Sequence, residues 1–403
     1  MPGINKEAIK VGIVFPRTKY EGYFQLALSI ADSLLKYSFK YEYAILYYDE
    51  EMLDWLTCRS KLTNVVKVEK RTLRQRITTY VNILTHLKLL PMTSRIQSEK
   101  LKKANMDLLI IPFPGLFGFM NKLPYVIAMT SISAKRYTKP PIGASFKIRL
   151  AANIVNKNSA KYSLTNIVDS HEGMDDLSES YGITRDKITI IPHMPSGYIY
   201  DNSKMDLETA EGLLANYRLP DKYIFYPSQF LHGKNHFRLV QSLRLIEQKY
   251  EIRIPVVFAG GVNESYSSVM DFVRQSNMNG QVIHLGYVSD KEIVALYKKA
   301  IALVYPSLFG PTNLPPLEAM VLGTPVLCSN LFSMPEQIGE AGLLFDPFSV
   351  EDMAEKIYKI WTDDNLRSML RQKGAERIKD MTQKRYAGQW EAVIEDALQT
   401  LKN

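Results

Sequence analysis

Short apolar runs alternate along the chain with longer segments in which apolar residues recur at helical spacing. Val11–Phe15 (VGIVF) reads as a strand of the buried parallel type, and the loop PRTKYEGY leads to a helix over Phe24–Leu35. Further strands are expected at Tyr41–Tyr47, Asp107–Pro112, Tyr125–Met129, Ile167–Ser170 and Ile188–Ile191. A short helical connector over Asp201–Leu219 interrupts the scheme, which then restarts. Tyr223–Tyr226, Pro255–Ala259, Val282–Leu285, Ala302–Tyr305 and Pro325–Cys328 are five more strand candidates, each followed by a helix-length segment. Strands alternating with helices imply an α/β protein with parallel, doubly wound sheets. Two such units in succession predict two Rossmann-like domains facing each other across a ligand cleft, with ligands beyond the carboxyl ends of the strands. The boundaries expected are 1–203 and 204–383, with 384–403 as a closing amphipathic helix that carries Trp390.

Composition narrows the class. A chain of 403 residues is too long for one ordinary core. Its 46% hydrophobic and 23% charged content is that of a folded protein. Charges crowd the first apolar run too closely for a signal peptide, and no apolar stretch approaches a membrane span. The two cysteines, Cys58 and Cys328, are far apart, and Cys328 in VLCSN reads as a buried free thiol. These features predict a cytoplasmic protein. There is no CxxC or DxD, and no metal site and no cofactor are expected.

Two segments carry candidate chemistry. In Tyr305–Asn330 (YPSLFGPTNLPPLEAMVLGTPVLCSN) a strand gives way to a Gly/Pro/Asn loop, then to a helix expected to start near Leu317. Thr312, Asn313 and Leu314 would offer backbone N–H groups beside that helix start, a natural anion site. Glu318, placed in the first turn, cannot bind phosphate but can accept hydrogen bonds from a ribose diol. It reads equally as an acid stabilising the helix dipole by about 0.3–1 kcal/mol. The second segment, Tyr226–His236 (YPSQFLHGKNH), puts Lys234 at a helix start, where a cation opposes the dipole but suits a diphosphate. Read alone, Lys234 is a solvated loop lysine. Gly260-Gly261 after a strand fits a tight turn or a close approach to ligand. His171 and His193 follow later strands and read as structural.

The stretch LFGPTNLPPLEA, with GTPVLCSN and MPEQIGEAGLLFDP after it, resembles the donor-binding region of retaining glycosyltransferases of family 4 (glycosyl transferases group 1). That resemblance implies the GT-B fold, with the closing helix crossing back to the first domain. It implies donor binding by the second domain and acceptor binding by the first. In the family two glutamates flank seven residues; Glu318 matches the second, which holds the nucleotide ribose, and the first position falls on Gly310. Lys234 matches the family's lysine on the leaving diphosphate, while its arginine falls on Ser228 or Gln229, and Gln229 donates hydrogen bonds without charge. Gly260 and the loop HLGYVSD, through Tyr287 and Val288, would approach the nucleotide, and Gly22 would approach the donor phosphate. The family's His-Asp dipeptide is replaced by Thr130-Ser131. The activity implied is transfer of a sugar from a nucleotide-diphosphate sugar to a glycan or lipid-linked acceptor with retained anomeric configuration, without metal, in polysaccharide or glycoconjugate synthesis. The competing readings are a non-catalytic relative partnering an active transferase and a sugar-nucleotide epimerase on the same fold.

Net charge is +8, unevenly placed. Arg59–Ala104 holds twelve basic residues against Glu69 and Glu99, a net +10, which leaves −2 for the remainder. Within it Thr72–Leu90 is expected to form a helix with an apolar stripe flanked by Arg74, Arg76 and Lys88. This suits an anionic membrane surface or an acidic acceptor, or is a solvated domain helix. No aromatic-basic RNA motif accompanies it, so nucleic acid is not the partner expected. Basic residues near an anionic surface contribute about 1 kcal/mol each. The chain is therefore expected to sediment with anionic liposomes at low salt and not with neutral ones, and changing Arg71, Arg74 and Arg76 together to Gln should abolish that. Failure of the unaltered chain to sediment would make the segment a solvated face.

Overall fold

A computed structural model describes residues 8–17, 22–48, 50–57, 64–68, 101, 104–115, 117–118, 123–129, 146–308, 310 and 313–402. The expected Thr72–Leu90 helix and Thr130-Ser131 lie outside them. The chain divides into two compact units, the second including Gly197–Met381 and the first holding most of the residues before it together with Thr382–Asn403.

The first unit contains a seven-stranded sheet in the order β3-β2-β1-β4-β5-β6-β7. The strands are β1 (Lys10–Val14), β2 (Glu42–Tyr47), β3 (Val65–Lys67), β4 (Leu108–Ile111), β5 (Tyr125–Ala128), β6 (Asn166–Val168) and β7 (Ile188–Ile190). Every pairing is parallel. The central runs are apolar throughout because helices cover both faces: all four residues of β4 and of β5 are buried. Gly12 in β1 has neighbours so close that a Cβ there would meet Leu46 and Leu109 side chains at 2.8 and 2.9 Å.

The second unit repeats the plan with six parallel strands in the order β10-β9-β8-β11-β12-β13. These are β8 (Ile224–Pro227), β9 (Val256–Ala259), β10 (Val282–His284), β11 (Ala302–Tyr305), β12 (Val326–Ser329) and β13 (Gly342–Phe345). Cys328 is buried in β12 as a free thiol, and burial pushes it well above its ordinary value. The connector expected over Asp201–Leu219 resolves into helices Gly197–Asp201 and Leu207–Leu214, the second capped by Asp206 accepting from the Thr209 N–H at 2.7 Å.

Eleven expected strands are present to within a residue or two at their ends, and two strands were not expected. Both of those, β3 and β13, are sheet edges. The other two edges, β7 and β10, were expected from their apolar runs, so edge position alone does not hide a strand.

The closing helix runs over Gln383–Thr400, with Thr382 as its cap. Its buried stripe, Tyr386, Ala387, Trp390, Val393, Ile394 and Ala397, has helical spacing and packs against the helix Gly22–Tyr37 of the same unit. Ser38 donates to Glu391 and Lys40 pairs with Glu395 beside that seam. Trp390 is only 1% exposed. Trp390→Ala is expected to destabilise the protein by about 3–5 kcal/mol, read as a lower midpoint in chemical denaturation. A loss under about 1 kcal/mol would mean that the seam is not part of the core.

Candidate functional site

In a doubly wound sheet the strand order reverses where two neighbouring strands send their connections to opposite faces, and a crevice opens beyond their carboxyl ends. In the second unit that point lies between β8 and β11. The two loops expected to carry chemistry leave these two strands.

After β8 the chain passes Ser228 and Gln229 and makes a short turn at His232–Lys234. Asn235 then takes a left-handed conformation (φ 61°) and the helix His236–Tyr250 begins. Lys234 therefore stands one residue before the helix cap, with its carbonyl fixed by the Tyr226 hydroxyl, which donates at 2.7 Å. Its ammonium is half-buried, donates to the Tyr305 hydroxyl at 3.1 Å and lies over the Tyr305 ring, 5.5 Å from the centroid. Among the described residues Lys234 forms no ion pair with a carboxylate. His236, two positions on, is buried and stacked on Phe230 at 4.1 Å. Burial first, and then the Lys234 charge, push its imidazole down to about 3, so it adds no second cation near neutrality.

After β11 the loop carries Gly310 and Asn313, while Thr312 lies outside the described residues. The helix spans Leu314–Val321, three residues earlier than expected, because Pro315 and Pro316 fit within its first turn, where N–H groups go unpaired in any case. This changes two expectations. Glu318 is the fifth helical residue and not part of the first turn. The prolines remove two N–H donors from the first turn, and the Asn313 N–H is given to Gln337 Oε1 at 3.1 Å. Gly310 has φ 104°, and a Cβ there would lie 2.8 Å from Asn313 Oδ1.

Glu318 is 7% exposed and accepts from the Tyr297 hydroxyl at 2.7 Å. Burial pushes its carboxyl up to about 7, partly opposed by that hydrogen bond. Tyr297 is itself buried in the helix Asp290–Lys299, and burial first, then the neighbouring carboxylate, hold its phenol protonated. An acid above its ordinary value that sits at a sheet's switch point is a recognised mark of function.

Gln229, Gly260 and Tyr287 come together at the ends of β8, β9 and β10. Gly260 has φ 148°, and a Cβ there would lie 2.4 Å from the Ser228 carbonyl, so only glycine lets these loops touch. The Gly260 N–H donates to the Gly286 carbonyl at 2.7 Å, and its own carbonyl meets His284 Nε2 at 2.8 Å. Gln229 Oε1 accepts from Asn263 at 3.2 Å. Tyr287 is 55% exposed and shields Gly261, and Val288 is partly buried against the core. Gly22 is the exposed first residue of Gly22–Tyr37 and belongs to the first unit. In that unit His193 is buried with its Nδ1 3.6 Å from Asp169 Oδ2, and desolvation lowers its pKa. Reading the sequence missed Tyr297, Tyr305 and Gln337. Each is an ordinary core or helix position along the chain, and only folding brings it to the site.

The switch point of this Rossmann-like unit thus gathers a cation, a buried acid and loops pressed together by glycine. Residues 216–377, most of this unit, match the family described as "Glycosyl transferases group 1". O-antigen chain mannosyltransferase B of Escherichia coli is 32% identical over 160 residues, which is 40% of this chain and 42% of that protein. O-antigen chain mannosyltransferase RfbU of Salmonella typhimurium is 24% identical over 205 residues, 50% of this chain and 52% of that one. The chain thus spans about half or less of the length of these relatives. Anabaena Alr3699/HepE in complex with UDP superposes with a TM-score of 0.72 at 12% identity, covering 96% of this chain and 99% of that one. A glycosyltransferase from Rickettsia africae gives 0.71 at 16% identity, covering 98% and 100%. The fold is the two-domain α/β GT-B fold, and the likenesses support a group 1 glycosyltransferase.

The raised Glu318 carboxyl makes a stability prediction. Its proton is held more tightly in the folded chain than at the ordinary value of 4.5, so its contribution is fully present below that value and is lost as pH rises through about 7. Glu318→Gln is expected to gain stability over the unaltered, ligand-free chain between pH 5 and pH 8, by on the order of 3 kcal/mol at the upper end. A difference in Tm that does not change with pH would show that Glu318 is not buried as described.

Proposed function

We propose that the protein is a retaining glycosyltransferase that moves a hexosyl group from a nucleotide-diphosphate sugar to a glycan or lipid-linked acceptor in polysaccharide or glycoconjugate synthesis. The observation that carries the reading is the Lys234 ammonium. It is half-buried at the switch point and tied to a neutral hydroxyl, and among the described residues no carboxylate supplies the counter-charge that a diphosphate would bring. Supporting it, the family match covers this same unit, and the names of the Escherichia coli and Salmonella relatives put mannose first among the sugars to try.

In this reading the second unit takes the donor and the first the acceptor. Glu318 accepts hydrogen bonds from the ribose diol. Tyr287 and Val288 lie along the base, Gln229, Gly260 and Gly22 along the phosphates. Gly310, Thr312, Asn313 and Leu314 form the wall beside the sugar. As the glycosidic bond breaks, negative charge grows on the leaving phosphate, and Lys234 stabilises that charge without metal. The leaving oxygen takes the acceptor hydroxyl's proton on the face where the new bond forms, giving a nucleoside diphosphate and a glycoside of unchanged configuration. Because Glu318 titrates near 7, nucleotide affinity rises with pH through that value as the carboxylate forms. Among the described residues no helix is long and apolar enough to cross a membrane. Association with the inner face of a membrane would run through the basic residues of 59–104.

The test is incubation of the whole chain with GDP-mannose, UDP-glucose and UDP-N-acetylglucosamine, reading released diphosphate, followed by NMR of the product's anomeric proton. Binding without turnover on any acceptor offered would favour the non-catalytic relative. Lys234→Ala is expected to lower kcat about a hundredfold with little change in KM, as for loss of one preorganised charge. A normal kcat would return Lys234 to the status of a solvated lysine.

A further inference from the structure

The Lys234 ammonium ends a chain of polar contacts that no local sequence pattern announces. Tyr305 closes β11 with its ring 2% exposed, edge-on to Tyr226 at 5.4 Å, while its hydroxyl emerges between the two loops. That hydroxyl has a single proton, and it donates to Asn313 Oδ1 at 2.9 Å. An ammonium can only donate, so the hydroxyl's lone pair receives Lys234 at 3.1 Å, and the direction of both bonds is set.

Asn313 is anchored at its backbone, and its side-chain amide donates to the Gly310 carbonyl at 3.5 Å. Gln337 grips its backbone twice, accepting from its N–H at 3.1 Å and donating to its carbonyl at 2.7 Å. Gly310 closes the other side, since a Cβ there would lie 2.8 Å from the Asn313 amide oxygen. A fixed amide fixes the phenol, and the phenol fixes one end of a flexible lysine stem that would otherwise sample many rotamers. We infer that Tyr305 is a positioning residue: held by the Asn313–Gln337 clamp, it sets the Lys234 ammonium in place before the donor's diphosphate arrives. This rests on the phosphate role proposed for Lys234. It predicts that the hydroxyl matters only through that cation.

Tyr305→Phe tests it, because phenylalanine keeps the ring under the ammonium and removes only the oxygen. Turnover is read with whichever sugar nucleotide the panel identifies, and affinity for UDP and GDP is read by calorimetry. The expected result is a fall in kcat of about tenfold with KM within about threefold, since one hydrogen bond to a charged group is lost. In the Lys234→Ala background the same change should cost nothing further. A merely structural role for the hydroxyl would move KM and kcat together and would add in full to the lysine variant. A normal kcat in Tyr305→Phe, or full additivity, overturns the inference and leaves the site reading standing. A normal kcat in Lys234→Ala, or failure of the unaltered chain to bind either diphosphate, removes the phosphate reading and this inference with it.

Discussion

A parallel sheet covered on both faces by helices has to deliver every strand's carboxyl end to the same edge. In the second unit this constraint decides where the chemistry collects. The residues after β8, β9, β10 and β11 are spread over roughly eighty positions of chain. They meet because four buried runs, Ile224–Pro227, Val256–Ala259, Val282–His284 and Ala302–Tyr305, are held in parallel register by apolar burial and backbone hydrogen bonds. The sheet interior is dry, so its polar groups are spent on the ladder, and the groups left to meet a ligand lie in the loops at its end.

Those loops hold two ionisable side chains in opposite ways. Lys234 stays half-exposed beside a hydroxyl and an aromatic ring. Glu318 is buried one helical turn further in, where burial raises its carboxyl to about 7 and Tyr297 supplies its hydrogen bond. Among the described residues the second unit therefore carries a cation without a carboxylate partner and an acid that burial raises to about 7. Both arrangements cost stability, and both are relieved by a ligand that is anionic at one end and hydroxylated at the other. In the reading proposed above, that ligand is a nucleotide diphosphate with its ribose.

Glycine and proline set how closely the loops approach. Gly260 lets the β9 loop press on the Ser228 carbonyl, and Gly310 leaves room for the Asn313 amide. Pro315 and Pro316 open the helix that carries Glu318, removing donors that an anion would have used and shifting the contribution to side chains. The neutral amide of Asn313, reached from Tyr305 and gripped by Gln337, takes up the space beside Gly310.

The sequence by itself determined the α/β plan, eleven of the thirteen strands, and the segments after β8 and β11 on which Lys234 and Glu318 sit. Those features follow from local apolar runs, helical spacing and turn residues, and these survive translation into structure because burial on both faces demands them. Although the edges Ile188–Ile190 and Val282–His284 showed, the edge strands Val65–Lys67 and Gly342–Phe345 did not. Nor did the partners of the two ionisable groups. Tyr305, Asn313 and Gln337 lie 71, 79 and 103 positions from Lys234, and Tyr297 lies a whole strand and loop away from Glu318. Only the tertiary structure decided that these hydroxyls and amides point at the charges, since hydrogen-bond geometry depends on ångström placement that no spacing along the chain encodes.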